Sequence, residues 1–318
     1  MSDLIIAARR TLIDCMGISK DENITIISDD VTREVGDAFY AAATELDANP
    51  ILAVMRPLRF NGQEPPDSLL DLMSKTDILI LATKSSLSHT HARMQATDAG
   101  VRCASMPGIT AEMMTRTMNV DWKEVETTTN RLVEKLLGVK SFHLLSAAGT
   151  DMNINMGELQ FEGDTGIYSN PGNFGNLPGG EACTAPAFRG STGIAVFDGS
   201  FAGIGLLRTP VYVIIKDGLV ESIDDGKEAV LLKNMIAPFG ASGRMLAEIG
   251  IGTHPTARLT GVVLEDEKIA GTVHLALGNN VGFGGSNNVG IHIDGVMLKP
   301  TLITDDGTKI IDNGKLLV

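Results

Sequence analysis

Aromatic side chains are scarce in this chain, 4% of 318 residues, and cysteine is scarcer still, with three. Cys15, Cys103 and Cys183 lie far apart and form no Cys-x-x-Cys pair. So odd and sparse a count excludes a disulfide framework or a zinc ribbon, and fits reduced thiols in a cytoplasmic protein. Long apolar runs are missing too. Stretches such as Ile78 to Ala82 stop far short of the ~20 residues that a membrane helix needs. The start, Met1-Ser2-Asp3-Leu4, has no basic region leading into an apolar one, so no secretory signal is expected. Basic charge is short: 26 Lys and Arg against 39 Asp and Glu leave −13. That balance argues against a broad grip on nucleic-acid phosphates or anionic lipid.

What is abundant is glycine. The chain has 35, about 11% against a usual ~7%, and many fall in 172–180, 199–205 and 278–290. Hydrophobic residues at 43% and charged residues at 20% provide for a real core and rule out general disorder.

The chain has two rhythms. Up to residue 148, short apolar runs (Ile24 to Ser28, Ile51 to Met55, Ile78 to Thr83, Val101 to Ser105) alternate with helical patterns (Asp29 to Ala48, Leu69 to Ser74, Ser88 to Ala99, Trp122 to Leu137). This alternation predicts an α/β domain built on a parallel sheet. A dinucleotide site is not expected there, because Ile24 to Ser28 runs into Asp29-Asp30 where pyrophosphate requires a glycine turn free of carboxylates. Residues 149–318 predict a second, β-rich α+β domain. Val211 to Ile215 and Leu219 to Ile223 flank a two-residue Asp217-Gly218 hairpin turn. Further strands are expected at Leu259 to Leu264, Val273 to Leu277 and Gly290 to Leu298, and a main helix at Leu231 to Met245.

Four segments of the second half carry residues suited to chemistry. They are Asn176 to Glu181, Ala247-Glu248 to Gly252, Glu265-Asp266-Glu267-Lys268 to His274, and His292-Ile293-Asp294. Residues two apart on a strand share a face, so His292 and Asp294 could grip one metal, as imidazole plus carboxylate suits zinc, cobalt, manganese or iron(II). Taken singly, each has a plainer reading. His292 and Asp294 could form an exposed polar face, His274 a hydrogen-bonded core histidine, Glu181 and Glu248 surface acids, and Asp266-Glu267 a solvated turn. His254, in Gly252-Thr253-His254-Pro255, is either a catalytic neighbour of the site or a surface-loop residue. Arg189, Arg244 and Arg258 could orient a substrate carboxylate or form structural ion pairs.

The order and wording of these segments resemble the thermophilic aminopeptidase family of metallopeptidases, the aminopeptidase T or leucyl aminopeptidase-like proteins. The likeness rests on Asn176 to Glu181, Glu248, Asp266-Glu267 leading to His274-Leu275-Ala276-Leu277-Gly278, and His292 with Asp294. In the first half it extends to Ser86-Leu87-Ser88-His89-Thr90 and Met106-Pro107-Gly108-Ile109-Thr110. The resemblance implies a cytoplasmic metallohydrolase, an aminopeptidase or small-amide hydrolase, with an α/β domain before a β-rich catalytic domain. Glu181, Glu248, His274, His292 and Asp294 would share two divalent ions, zinc, cobalt or manganese. Apart from the resemblance, a free carboxylate near such a site could carry the proton, Glu267 ahead of Asp266. A peptide or small molecule would be the substrate, with neither nucleic acid nor membrane as partner, and a homodimer would be the assembly.

Two positions depart from that pattern: Gly180 replaces a family acid and Val281 a family tyrosine, the latter a candidate donor to an oxyanion. The chain also resembles the 2,5-dihydroxypyridine dioxygenases, which share the final His-x-Asp but hold one iron(II) through two histidines and one carboxylate. Their other histidine falls at Glu248. A mononuclear iron(II) ring-cleaving dioxygenase is therefore the alternative expectation, and a non-catalytic metal-stabilised binding protein the third.

Overall fold

The computed structural model describes residues 2–318. The chain divides into two compact units, and the division is not a single cut. One unit holds the residues up to Glu126 together with Asp164–Gly179; the other holds Thr127–Gly163 and Gly180–Val318. The change of rhythm near Gly149 falls inside a hairpin, because Ser141–Leu145 and Asp151–Asn155 pair antiparallel across it. The helix Trp122–Leu136 carries the chain from the first unit into the second.

The first unit is built on a five-stranded sheet in the order Asn49–Met55, Asn23–Asp29, Ile78–Ala82, Arg102–Ser105 and Phe174–Asn176. Every pairing in it is parallel. Ile78–Ala82 is buried at all its residues, which is why its sequence is an unbroken apolar run without alternation. Helices Arg33–Glu45, Leu70–Ser74 and His91–Asp98 connect the strands. Leu79, Leu81, Ala92, Ala96 and Cys103 make part of the core beside them. At the end of the first strand the Asp29 carboxylate accepts the amides of Val31 at 2.9 Å and Lys84 at 2.6 Å. The donors that an anion would seek there are thus taken by the protein's own acid.

The second unit contains two large, mainly antiparallel sheets of eight and seven strands. In the eight-stranded sheet, Asp151–Asn155 and Val211–Lys216 alternate buried and exposed residues, the pattern of a sheet with one wet face. The expected hairpin forms, with Asp217 at φ 52° and Gly218 at φ 79° in its turn. The inner strands of the seven-stranded sheet are His292–Met297, Val273–Gly278, Leu246–Gly252 and Glu181–Thr184, in that order. The middle two are buried throughout. A single apolar core including Phe142, Phe197, Phe201, Leu246, Leu275 and Met297 serves this unit. The fold class is thus a parallel-sheet α/β unit followed by a β-rich one.

Two expected elements differ. The main helix of the second half is Lys227–Ile236, earlier than Leu231 to Met245. Pro238 lies in the 3-10 turn Ala237–Phe239, and Gly240 at φ 57° ends the run. No strand forms at 259–264. There the Asp266 carboxylate accepts the amides of Thr260 at 2.6 Å and Gly261 at 2.8 Å, folding the segment into a turn that enters the short helix Val263–Asp266. Among the described residues no helix is long and apolar enough to cross a membrane.

Candidate metal centre

Register brings the candidate ligands together on one face of the seven-stranded sheet. Glu248 lies opposite Ala276, and Ala276 opposite Asp294. One row over, Gly250 lies opposite both His274 and Cys183. Gly278 faces His292, and Gly252 faces Glu181. Because side chains alternate with period two, all five candidate ligands project from the same surface. The residues between them are glycine or alanine, and that spacing is needed. A Cβ on Gly250 would stand 2.1 Å from His274 Cε1, so only glycine lets the imidazole lie across that strand.

Glu248 and His274 are buried at the floor of the cluster. Glu248 Oε2 is 3.0 Å from His292 Nε2, and its Oε1 is 3.4 Å from His274 Nε2. His292 Nε2 also lies 3.1 Å from Asp294 Oδ1. His292 and Asp294 are only partly buried and form the open side. The His292 ring is braced: Nδ1 is 2.7 Å from the Asn279 carbonyl oxygen, to which it donates, and Phe283 stacks on it with centroids 5.5 Å apart. A proton fixed on Nδ1 leaves Nε2 as the ligating nitrogen, the arrangement that orients metal-bound histidines. His274 has no such brace. Its Nδ1 is buried without a hydrogen-bond partner, while its Nε2 faces Glu181 Oε2 at 3.5 Å.

Three groups of donors lie within 4.8 Å of one another: Glu248 with His292 and Asp294, Glu267 with His274 and Asp294, and Glu181 with Cys183 and Glu248. The chain therefore has buried clusters suited to a divalent ion, and the mixture of carboxylate and imidazole fits a hard or borderline one. The first group fits best, because its histidine has Nδ1 tied to a backbone carbonyl and Nε2 turned to the two carboxylates.

The charges are strongly coupled. Burial alone would raise the Glu248 carboxyl, but hydrogen bonds from His274 and His292 hold it well below the usual carboxylate range. Burial opposes charge on His274, yet Glu248 and Glu181 push it up to about 9. His292 is likewise raised well above its ordinary value, against burial, by Asp294 and Glu248. Burial pushes Glu267 up to about 8, with the negative charges of Glu181 and Asp294 adding to it and Lys268 opposing. An ion that binds here must displace the proton from His292 Nε2. Affinity should therefore rise with pH, by about tenfold per unit for each proton released. Calorimetric titration of the metal-free protein with Co(II) near neutral pH, in buffers of different ionisation enthalpy, should count about one proton released per ion. No release would show that His292 is neutral beforehand.

The remaining expected residues fall into place around this cluster. The Glu265–Lys268 turn is not a solvated acidic turn: all four residues are buried. Asp266 is spent on backbone amides, and Glu265 accepts the Arg258 amide at 2.6 Å. Of the three acids, only Glu267 turns to the centre. His254 is fully buried and belongs to none of the three donor groups. Its Nδ1 accepts the amides of Thr256 at 3.3 Å and Ala257 at 3.2 Å, and its own amide donates to the Lys268 carbonyl at 2.8 Å. Arg189 pairs with Asp217, and Arg244 donates to the Val220 and Glu221 carbonyls. Two residues escaped sequence reasoning. Cys183 shares the face by lying two residues beyond Glu181, a spacing that was there to see. Lys268 gave no signal, since a lysine after three acids looks like a surface residue. It is buried, with Nζ against Glu181 Oε1 and 2.9 Å from Glu267 Oε1.

Comparison with solved structures returns the same architecture. The structure of 2,5-dihydroxypyridine dioxygenase from Pseudomonas putida KT2440 matches at a TM-score of 0.81 and 18% identity, over 100% of this chain and 98% of that one. Wild-type AmpT from Thermus thermophilus matches at 0.73 and 16% identity, over 99% of each chain. No curated protein sequence matches. The model of the family described as NicX, 2,5-dihydroxypyridine 5,6-dioxygenase, matches residues 3–318. With nearly its whole length so matched, the chain belongs to the NicX family of enzymes, and the second unit carries clusters of residues that could hold a metal ion.

Proposed function

We propose that the protein is a mononuclear metal-dependent dioxygenase that opens a hydroxylated nitrogen-heteroaromatic ring of the 2,5-dihydroxypyridine type. The observation that carries this reading is the Glu248–His292–Asp294 group, a single three-donor face whose His292 is already braced for ligation. Family membership supports the reaction class. A bound iron(II) would supply open coordination positions at which an electron-rich ring and oxygen meet. The chain's own residues do the rest. Glu248 anchors the face from the buried side, and Asn279 and Phe283 fix the His292 ring. Glu267, whose carboxyl holds its proton to about 8, is placed beside Asp294 to exchange a proton with a ring hydroxyl. The reaction breaks one ring carbon–carbon bond and takes both atoms of one O2 into the product, so it needs no outside reductant.

A second reading, an amide hydrolase using zinc, cobalt or manganese, is favoured by one observation. Glu248 is a carboxylate where the dioxygenases, by the resemblance described above, have histidine, and Glu181 and His274 remain beside it. Anaerobically iron-loaded protein mixed with 2,5-dihydroxypyridine in an oxygen electrode separates the two. The dioxygenase reading expects one O2 consumed per ring opened. No substrate-dependent uptake, together with metal-dependent cleavage of amides under nitrogen, would replace it with the hydrolase.

A further inference from the structure

Lys268 is the feature that neither reading uses. It is 1% exposed, a degree of burial that lysine rarely reaches without a partner. Its Nζ contacts Glu181 and, at 2.9 Å, Glu267. Those two acids, with His274 and Cys183, are the donors left over once Glu248, His292 and Asp294 are assigned to one ion. His274 Nε2 faces Glu181 Oε2 at 3.5 Å, and Glu267 and His274 lie in one donor group. A positive charge is therefore already built in where a second ion would sit. The two histidines differ accordingly. His292 has the backbone brace of a ligand, whereas His274 Nδ1 has no hydrogen-bond partner. The ammonium is also held in place by its own backbone: the Lys268 carbonyl accepts the buried His254 amide, and the Lys268 amide donates to the Glu265 carbonyl. A divalent ion entering between Glu181 and Glu267 would face this ammonium at close range in a dry interior, where like charges repel strongly.

We propose that the Lys268 ammonium is the permanent second cation of the centre, so that the protein binds one divalent ion, on Glu248, His292 and Asp294, and not two. The proposal rests on the metal-binding reading above. It assigns Lys268 a positioning role: it holds the Glu181 and Glu267 carboxylates away from an incoming metal and keeps a dinuclear fold chemically mononuclear.

The test is metal stoichiometry, which does not depend on knowing the substrate. Chelator-stripped wild type, Lys268→Gln, His274→Ala and the double variant are saturated with Co(II), desalted and analysed by mass spectrometry. Wild type and His274→Ala should each hold one ion per chain. Lys268→Gln should hold two, and the double variant should return to one. Zero in the wild type would remove the metal-binding reading itself. Two in the wild type, less than one in His274→Ala, or one in Lys268→Gln would overturn the role of Lys268 while leaving metal binding intact. Should Lys268→Gln not fold, the wild-type and His274→Ala values decide: one ion in each upholds the proposal, and two in the wild type overturns it.

Discussion

His292→Ala should leave the protein folded and without its metal. Retained ion should fall from one per chain to none after desalting, and turnover should drop by about 10²- to 10³-fold or more, the scale of losing one essential electrostatic group. His292 is the only imidazole of the group formed with Glu248 and Asp294, and its ring is fixed from two sides by the Asn279 carbonyl and Phe283. It is partly exposed, so its loss leaves little buried cavity and the fold should tolerate it. Metal analysis alongside circular dichroism separates loss of the site from loss of structure. His274→Ala is the informative contrast. It also removes a ring from the cluster, yet it should keep the ion if Lys268 already serves the position beside it.

The second large effect concerns the metal-free protein. Replacing Lys268 by glutamine leaves the Glu181 and Glu267 carboxylates buried and without their shared ammonium. Removing one partner of a buried ion pair typically costs about 3–5 kcal/mol, so the urea midpoint should fall accordingly. The pH dependence has a definite sign. The Glu267 carboxyl, already pushed up to about 8 with the ammonium opposing, should rise further without it. The stability that protonated Glu267 contributes is present at low pH and is lost as pH rises through its folded value. The gap to wild type should widen from about pH 5 to pH 8, and saturating Co(II) should narrow it. A midpoint equal to wild type across that range would show that Lys268 bears no structural charge.

How far the sequence anticipates this molecule can be judged from particular residues. The buried strands Asn23–Asp29 and Ile78–Ala82 are legible because a parallel sheet covered on both faces demands uninterrupted apolar runs. The Asp217-Gly218 turn is legible from its left-handed backbone requirement. The candidate ligands are legible as types, and the glycines near them as a sign of close approach; Gly250 under His274 is where that sign has its reason. What escapes is whatever register and burial decide. Two strands on either side of Gly149 pair with each other, so the change of rhythm does not mark a boundary between units. The acidic stretch Glu265-Asp266-Glu267-Lys268 reads as solvated because four successive charges suggest water. Its burial depends on amides from Arg258, Thr260 and Gly261 that come into reach only in the folded turn. Lys268 is the sharpest case, since its partner Glu181 stands 87 residues away in sequence.

The membership of a dioxygenase family and the likeness to an aminopeptidase fold turn on one physical question, the number of cations that the same sheet face accepts. On the account above, Glu248, His292 and Asp294 would make one position, with Lys268 against Glu181 beside it. Diffraction from Co(II)-saturated crystals, recorded on both sides of the cobalt absorption edge, answers that question directly. The account predicts one anomalous peak per chain, within bonding distance of Glu248, His292 Nε2 and Asp294, with Lys268 Nζ still against Glu181. Two peaks, or one lying on Glu181 and His274 with the lysine displaced, would contradict it.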